Sequence, residues 1–537
     1  MSGINLLTAL SDNIVVDRDK CVACGICVEK CPVDNLRLKL SPCRQACPLG
    51  VNAQGYVRLI ARGEEEKAIE LVRETLPFPG ILGRVCSQPC EAGCHHAAIG
   101  SESIGIRALK RYLADRFPGT AAPLPRMEPV SGKRAAIIGS GPAGLMAAYE
   151  LRAHGHETVV FDAEPEPGGM LRWAIPEFRL PANVLRDEIG LLERMGVVFK
   201  CGTRIDTDGM GSLRREFGAV ILAAGSAGHT RLGIEGEDLQ GVHHALPFLK
   251  AIRSGNQPAL NGRVVVIGGG NAAVDAAQSA LRLGAGSVTI VSLESEREMP
   301  AFKWAIAGAR GEGVGVVNSL GPVRFLSERG MVRGVEFVHC VRVYDGDGRF
   351  SPRFDSCRVE TVEAESVIIA AGQSPDLDFF GKIGIARDGK IVFDPLTMGT
   401  MEKGLFCAGD MAGGPGSVVE AMASGRRAAE SAHRFLSGEH LRYGRAYRGP
   451  VETKFEIVTE NDVARERVSI PGRKFTGRGD FTEIEQCLDE ETARKEARRC
   501  ISCGQAYGKY RTCWFCLPCE IECPHKALRV EIPYLLR

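Results

Sequence analysis

Residues 134–149 read Arg134-Ala-Ala-Ile-Ile138-Gly139-Ser-Gly141-Pro-Ala-Gly144-Leu-Met-Ala-Ala-Tyr149, and this stretch decides the fold class. A short apolar strand runs into a glycine-rich turn, and an apolar helix follows through Leu151. Glycines at these positions let the chain turn tightly, approach a pyrophosphate closely and pack helix against strand, with the positive helix N-terminus facing the phosphates. A second strand, Thr158-Val-Val-Phe161, ends at Asp162, 23 residues after Gly139. An acid there can accept from a ribose hydroxyl, and this context makes G-x-G-x-x-G a specific signal.

The same unit recurs at 263–294. Arg263-Val-Val-Val-Ile267 is the strand and Gly268-Gly-Gly270-Asn271-Ala-Ala273 the turn; a helix to about Leu283 and a strand over 287–291 complete it. Ala273 replaces the third glycine, a permitted variant. Two such units predict an α/β chain with two Rossmann-like domains and two different dinucleotides, one resident and one exchanging.

The rest of the composition narrows the class. With 537 residues the chain has room for three to four domains. Lys+Arg 67 against Asp+Glu 66 leaves a net charge of +1, which argues against a polybasic nucleic-acid binder. No uncharged apolar run reaches the ~18–20 residues of a spanning helix; the longest candidate, 135–149, is interrupted by Gly, Ser and Pro. The first residues lack a basic segment followed by an apolar one, so secretion is not expected. Twenty cysteines in such a chain read as metal ligands in a reduced, cytoplasmic compartment rather than as disulfides.

Nine cysteines fall before residue 95 and seven after 486. Cys21-x2-Cys24-x2-Cys27-x3-Cys31-Pro32 and Cys513-x2-Cys516-x2-Cys519-x3-Cys523-Pro524 share one spacing. Three thiolates on a tight loop can reach three corners of an iron–sulfur cube, and in two-cluster ferredoxins the fourth ligates the other cluster. Zinc sites usually pair two C-x2-C knuckles instead. Cys43-x3-Cys47, Cys86-x3-Cys90-x3-Cys94 and Cys500-x2-Cys503 add seven further candidates. Between the first two groups, 53–76 has helical periodicity, which would fold the groups together. Cys201, Cys340, Cys357 and Cys407 read as small buried hydrophobes, and Cys487 as a fifth cysteine outside the clusters. His95-His96 and His243-His244 receive no role, and Glu64-Glu-Glu66 reads as a solvated helix face.

Residues ~41–435 resemble the small subunit of bacterial glutamate synthase and the flavin half of dihydropyrimidine dehydrogenase. The resemblance rests on Gly139–Gly144, Gly168-Gly169, Ile175-Pro-Glu-Phe-Arg179-Leu-Pro181, Gly268–Ala273, Met299-Pro300 and Leu405-Phe-Cys-Ala-Gly409-Asp410. It implies FAD on the first fold and a nicotinamide nucleotide on the second. Gly409-Asp410 would hold the ribityl and phosphate region, and a helix from Ser417 and Val418 would point its positive end at the flavin. Strands 219–225 and 366–372 would mark the crossings between domains. The pyrimidine-reducing barrel of dihydropyrimidine dehydrogenase has no counterpart. Related disulfide reductases need a redox cysteine pair, which neither Gly168-Gly-Met170-Leu-Arg-Trp-Ala nor the second Rossmann unit supplies.

In the resembled family, NADPH users carry a basic pair after the second strand of the nicotinamide domain. Leu293-Glu294 stands there instead, and a carboxylate would repel a 2′-phosphate and accept from a free 2′-hydroxyl. NAD(H) is therefore expected, although Arg297 could supply a phosphate contact.

The resemblance also implies a ligand set. One cluster takes Cys43, Cys94 and a C-x2-C pair that is missing upstream, and Cys500-Ile-Ser-Cys503 is expected to return and complete it. A second takes Cys47, Cys86, Cys90 and a non-cysteine oxygen ligand, but that position falls at Lys110. Fifteen candidate cysteines against sixteen for four [4Fe–4S] clusters leave three to four clusters, with the terminal motifs either sharing Cys31 and Cys523 or standing independently.

The expected layout is a ferredoxin-like element at 1–40, a helical iron–sulfur domain at 41–130, FAD domain parts at 131–260 and 363–440 around a nicotinamide domain at 261–362, and a connecting arm with the second ferredoxin-like element at 441–537. Residues 483–499 read as a charged helix. The function implied is an electron-transfer subunit linking NAD(H), FAD and clusters to a partner oxidoreductase subunit or ferredoxin in a hetero-oligomer. The competing readings are a glutamate synthase small subunit using NADPH and a scaffold whose cofactors are structural.

Overall fold

The computed structural model describes residues 13–260, 262–375, 385–387, 390–445, 449–457, 459, 463–509, 513 and 515–531. Two five-stranded parallel sheets form its centre. In the first, Leu405–Cys407, Ala219–Leu222, Arg134–Ile138, Glu157–Phe161 and Val198–Lys200 lie side by side. Its last-added strand comes from beyond the second Rossmann unit, so this domain is split around its neighbour. The middle strands are continuous apolar runs, as expected where helices cover both faces. Pro142–Ala153 and the 20-residue Val418–Ser437 pack together on it, and an added Cβ at Gly425 would lie 2.1 Å from the Ala143 carbonyl oxygen.

The second sheet orders Gly315–Val317, Ser287–Val291, Arg263–Ile267, Ser366–Ile369 and Val242–His244. Pairing thus places Val242–His244 and the helix Ala245–Arg253 with the nicotinamide domain, although the sequence reading put them before its 260/261 boundary. Ser366–Ile369, read as a crossing, is an inner strand of this sheet. The connections themselves run side by side, with Gly228–His229 antiparallel to Gln373–Ser374. A three-stranded antiparallel sheet, Leu320–Glu328, Met331–Tyr344 and Phe350–Glu363, projects from the same domain.

The helical domain uses Ala53–Ala61, Glu65–Arg73, Pro79–Val85 and Ile106–Arg116. Where one helical stretch was expected over 53–76, Gly63 at φ +77° breaks it in two. Tyr56, Ile60, Val72, Phe78, Ile81 and Leu109 are buried, and their core is continuous with Ala135, Ile137 and Leu145 of the first Rossmann domain.

The two ends of the chain are interwoven. Ile14–Val16 pairs antiparallel with Leu528–Val530, and Leu36–Lys39 lies between Val451–Glu452 and Ala506–Gly508. Cys27, Val28, Leu36, Cys519 and Leu528 share one small core, so the two ferredoxin-like elements form a single unit. Helix Glu490–Ala497 is shorter than the 483–499 expected, because Glu483 and Glu485 are spent on buried arginines. Glu65, read as part of a solvated face, is buried and accepts from Arg494 at 2.9 Å.

Candidate functional site

A cavity of about 2080 Å³ opens between the two Rossmann domains. Gly139, Gly141, Asp162, Gly169, Arg179, Gly409, Asp410, Ser417 and Val418 line it from the first domain, and Asn271, Asp275 and Gln278 from the second. The Gly144 position shows why the turn is glycine-rich: an added Cβ would lie 1.9 Å from the Gly139 carbonyl oxygen. Asp162 sits beneath this turn, accepting from the Ser140 backbone N–H at 2.7 Å and from the Ser140 hydroxyl, while its other oxygen accepts from the Glu164 N–H at 2.8 Å. Its carboxylate therefore fixes the turn as well as facing the cavity. Gly168 lies behind, its N–H donating to Ser140 Oγ at 3.0 Å.

The helix Val418–Ser437 presents its N-terminus to the cavity. Ser417 caps it: its hydroxyl and backbone N–H donate to the Glu420 carboxylate at 2.6 and 2.9 Å, while its Oγ accepts from the Glu420 N–H. The unsatisfied N–H groups and dipole of this helix make that wall favourable for negative charge. Asp410, beside it, is pushed above its ordinary range by burial. Arg179 reaches across the cavity to pair with Asp275 and donates to Gln278 Oε1 at 3.2 Å, tying the two domains together.

Gly268, Gly270 and Ala273 form the turn of the second domain but stand behind the cavity wall. The Glu294 carboxylate, held by Ser292 Oγ at 3.0 Å, folds over this turn. An added Cβ at Gly269 would lie 2.4 Å from Glu294 Oε2. Arg297 is exposed beyond it.

One wall was not anticipated. Arg467 and Ile470–Phe475, from the stretch read as a connecting arm, and Ile484 and Glu485, from the expected charged helix, line the cavity together with Arg84, Arg107, Arg111 and Trp304. Arg84, Arg107 and Arg111 are buried and paired with Asp115, Glu483 and Glu485, which fixes the arm to the helical domain. Only pairing and hydrogen bonding make such buried charges tolerable. No periodicity marks this stretch, so the sequence carried no signal for it.

The fifteen predicted cysteines fall into four groups. Cys523 crowds Cys21, Cys24 and Cys27, and the Cys27 thiol is pushed up to about 12, by burial first and by these neighbours next. Cys31 in turn crowds Cys519, which stands with Cys513 and Cys516 and is pushed up to about 11 for the same reasons. Each motif's fourth cysteine thus stands near thiols of the other motif. Cys43, Cys94, Cys500 and Cys503 ring a small cavity, and burial pushes Cys43 up to about 12. Gln54 secures the returning pair: its amide donates to the Gly504 carbonyl and accepts from the Gly504 N–H, both at 2.6 Å. Cys47, Cys86 and Cys90 line a third cavity with buried Lys110.

Among the described residues, no three or more Cys, His, Asp or Glu side chains close on a single-ion site. The donor sets suit cubes, whose irons take one thiolate each, better than zinc, which needs four ligands within ~2.3 Å of one point. The cavity, with its glycine turns and helix N-terminus, suits dinucleotides.

The profile described as pyridine nucleotide-disulphide oxidoreductase matches residues 133–425, which is more than half the chain. The chain belongs to that family. A profile described as dihydropyrimidine dehydrogenase domain II, 4Fe-4S cluster, matches residues 36–121, and one described as a 4Fe-4S binding domain matches 14–37. It is 35% identical over 514 residues to the NADP(+)-dependent formate dehydrogenase subunit beta of Moorella thermoacetica, covering 86% of this chain and 70% of that one. It is 31% identical over 400 residues to the NAD-dependent dihydropyrimidine dehydrogenase subunit PreT of Salmonella typhimurium, covering 74% and 91%. Among solved structures, Mycobacterium tuberculosis FprA in complex with NADPH shares the fold at TM-score 0.51 and 17% identity, over 58% of this chain and 85% of that one. This chain is a flavin and iron–sulfur oxidoreductase using NAD(P). Among the described residues, no cysteine lines the cavity. No helix among the described residues is long and apolar enough to cross a membrane.

Proposed function

We propose that this chain is an electron-transfer subunit that moves electrons between NAD(H), FAD and four iron–sulfur clusters, to or from a partner oxidoreductase subunit or ferredoxin. When bound, the flavin supplies two-electron exchange with nicotinamide and one-electron exchange with clusters. The observation that carries the reading is a shared helix end. Val418 lines the dinucleotide cavity while the next residue, Val419, lines the cavity of Cys47, Cys86 and Cys90. Nucleotide site and thiols thus lie on opposite sides of one helical turn, which makes this turn the proposed electron exit.

In this reading Gly139, Gly141, Gly144, Asp162, Gly168, Gly169, Gly409, Asp410, Ser417 and Val418 hold FAD, with Arg179 positioned by Asp275 at the boundary between the domains. Gly268, Gly270, Asn271 and Ala273 hold the nicotinamide nucleotide. The Glu294 carboxylate over Gly269 favours NADH, because a 2′-phosphate there would meet a negative charge. The fifteen cysteines hold the clusters as Cys21/Cys24/Cys27/Cys523, Cys513/Cys516/Cys519/Cys31, Cys43/Cys94/Cys500/Cys503 and Cys47/Cys86/Cys90. The partner reading draws on the names of the relatives, several of which are subunits.

Iron and flavin analysis of the anaerobically purified protein tests the cofactor content. About sixteen irons per FAD supports four clusters, and about twelve or fewer overturns that count. Mixing with NADH and, separately, NADPH tests the donor; faster flavin bleaching by NADPH would overturn the role given to Glu294.

A further inference from the structure

The helix Asn271–Leu283 begins at the nucleotide turn of the second Rossmann domain and is gripped at its far end. Arg282, 1% exposed, donates to both carboxylate oxygens of Glu312 at 2.6 and 2.8 Å. Two rings from outside its domain cover the guanidinium. Phe178 of the first domain stands 4.1 Å from it and Phe475 stands 4.7 Å from it, both within cation–π range. The chain after Phe475 then wraps the helix end. The Gly479 N–H donates to the Arg282 carbonyl at 2.7 Å, and an added Cβ at Gly284 would lie 2.8 Å from Arg478 Cδ. Phe481 packs against the second domain's core, and the Ile484 N–H donates to the Phe178 carbonyl at 3.0 Å. Glu483 and Glu485 pair with Arg84 and Arg107 of the helical domain. The loop is braced from within, because Asp480 accepts from Arg473 at 2.6 Å and from the Thr476 hydroxyl at 2.7 Å. Residues 473–485 thus bind all three bodies together.

We propose that residues 473–485 are a fixed clamp that sets the second domain at one angle to the first. Phe475, Phe481 and Arg282 are then positioning residues for hydride exchange between nicotinamide and flavin. This rests on the reading above that the cavity holds both nucleotides. The exchange breaks a C–H bond of the dihydronicotinamide and forms an N–H bond of the flavin. Two electrons and one proton move together, and no other reactant is needed. Its rate depends on how two rings carried by different domains approach each other. The pairing of Asp275 with Arg179 anchors the same helix near its start. One anchor leaves a pivot, and two fix a direction. Asp275 and Arg282 are seven residues apart, about 10 Å along the helix. A clearance of about 1 Å at the clamped end is a swivel of about 6°, and any group carried about 10 Å from the pivot shifts equally. A misplacement of that size can cost about a hundredfold in rate. The clamp touches the end of the helix opposite the nucleotide turn, so loosening it slows exchange while nucleotide affinity is kept.

The test compares the wild-type holoprotein with Phe475→Ala and Phe475→Tyr, with FAD and iron counted on each. Flavin bleaching by NADH and by NADPH is followed in stopped flow, and amide hydrogen exchange is measured on the same samples. Phe475→Ala is expected to cut the saturating bleaching rate at least about tenfold, while the half-saturating nucleotide concentration moves less than about twofold. Exchange across the crossing strands Gly228–His229 and Gln373–Ser374 should quicken at least about threefold, because the swivel works those pairs. Phe475→Tyr keeps the ring and should restore both readings. An unchanged saturating rate per bound FAD in Phe475→Ala overturns the positioning role, even if the melting temperature falls. Unchanged exchange at the crossing strands overturns the clamp. Should Phe475→Ala fail to fold, Phe475→Leu, which keeps bulk without the ring, must show the same split of rate from affinity or the proposal falls. A wild-type flavin that neither nucleotide bleaches overturns the hydride reading instead, and the exchange measurement alone then decides the clamp.

Discussion

Replacing Gln54 by leucine tests whether one buried amide holds the two ends of the chain together. Gln54 is 2% exposed, and its side chain makes two hydrogen bonds of 2.6 Å to the backbone of Gly504, one as donor and one as acceptor. Gly504 is itself buried, with an added Cβ lying 2.7 Å from the Lys39 carbonyl oxygen, so water cannot replace the lost partners without opening the packing. Leaving one buried donor and one buried acceptor unsatisfied costs about 1–3 kcal/mol each, or about 2–6 kcal/mol for the pair. That loss falls on the loop carrying Cys500 and Cys503. Other restraints there include the Arg18 bonds to the Ile501 and Ser502 carbonyls, a 3.5 Å contact from Arg58 to the Cys500 carbonyl and the Lys39 N–H bond to the Gln505 carbonyl at 2.9 Å. The assay is iron per FAD after anaerobic purification, together with the guanidinium midpoint. Gln54→Leu is expected to lose about four irons per chain, one cluster's worth. Full iron content and an unchanged midpoint in Gln54→Leu would refute the idea that this pair docks the C-terminal thiols.

Other perturbations follow from single contacts. Glu188 is fully enclosed, and burial outweighs the N–H groups of Gly80 and Ile81, raising it from 4.5 to about 7. Its folded form binds the proton more tightly than its unfolded form, so the contribution is full below about pH 4.5 and fades as pH rises through about 7. That is about 3 kcal/mol, and Glu188→Gln should flatten the dependence in thermal unfolding at pH 5 and 7.5. Gly425→Ala places a methyl 2.1 Å from the Ala143 carbonyl oxygen. It should lower stability by about 1–3 kcal/mol and reduce retained FAD, read as Tm and flavin content. Glu294→Arg should move the NADPH-to-NADH ratio of kcat/KM at least about tenfold, near 1.4 kcal/mol; an unchanged ratio would contradict the placement of the adenosine ribose.

The Rossmann units were legible because backbone sterics demand glycine at definite spacings: Gly144 cannot bear a Cβ beside Gly139, and no other residue substitutes freely. The terminal cysteine motifs were legible as clusters from local spacing alone. Which cysteine completes which group was not, because it depends on pairings such as Ile14 with Val530 and Leu36 with Gly508, hundreds of residues apart. The return of Cys500 and Cys503 could be expected only from the gap they fill. Domain boundaries were displaced because Val242–His244 and Ser366–Ile369 carry nothing that tells one parallel sheet from the other. The arm was illegible for a different reason. Arg473 and Phe475 reach the cavity from irregular backbone, and Glu483 and Glu485 were drawn out of an expected helix by Arg84, Arg107 and Arg111.

The central claim is that nicotinamide, flavin and clusters form one electron path. Anaerobic rapid mixing of the holoprotein with NADH, followed at the flavin and iron–sulfur absorption bands, tests it most directly. The account predicts that the flavin bleaches first and the clusters follow without added mediator. A protein that holds FAD and its full iron but keeps both oxidised in excess NADH and NADPH would contradict it.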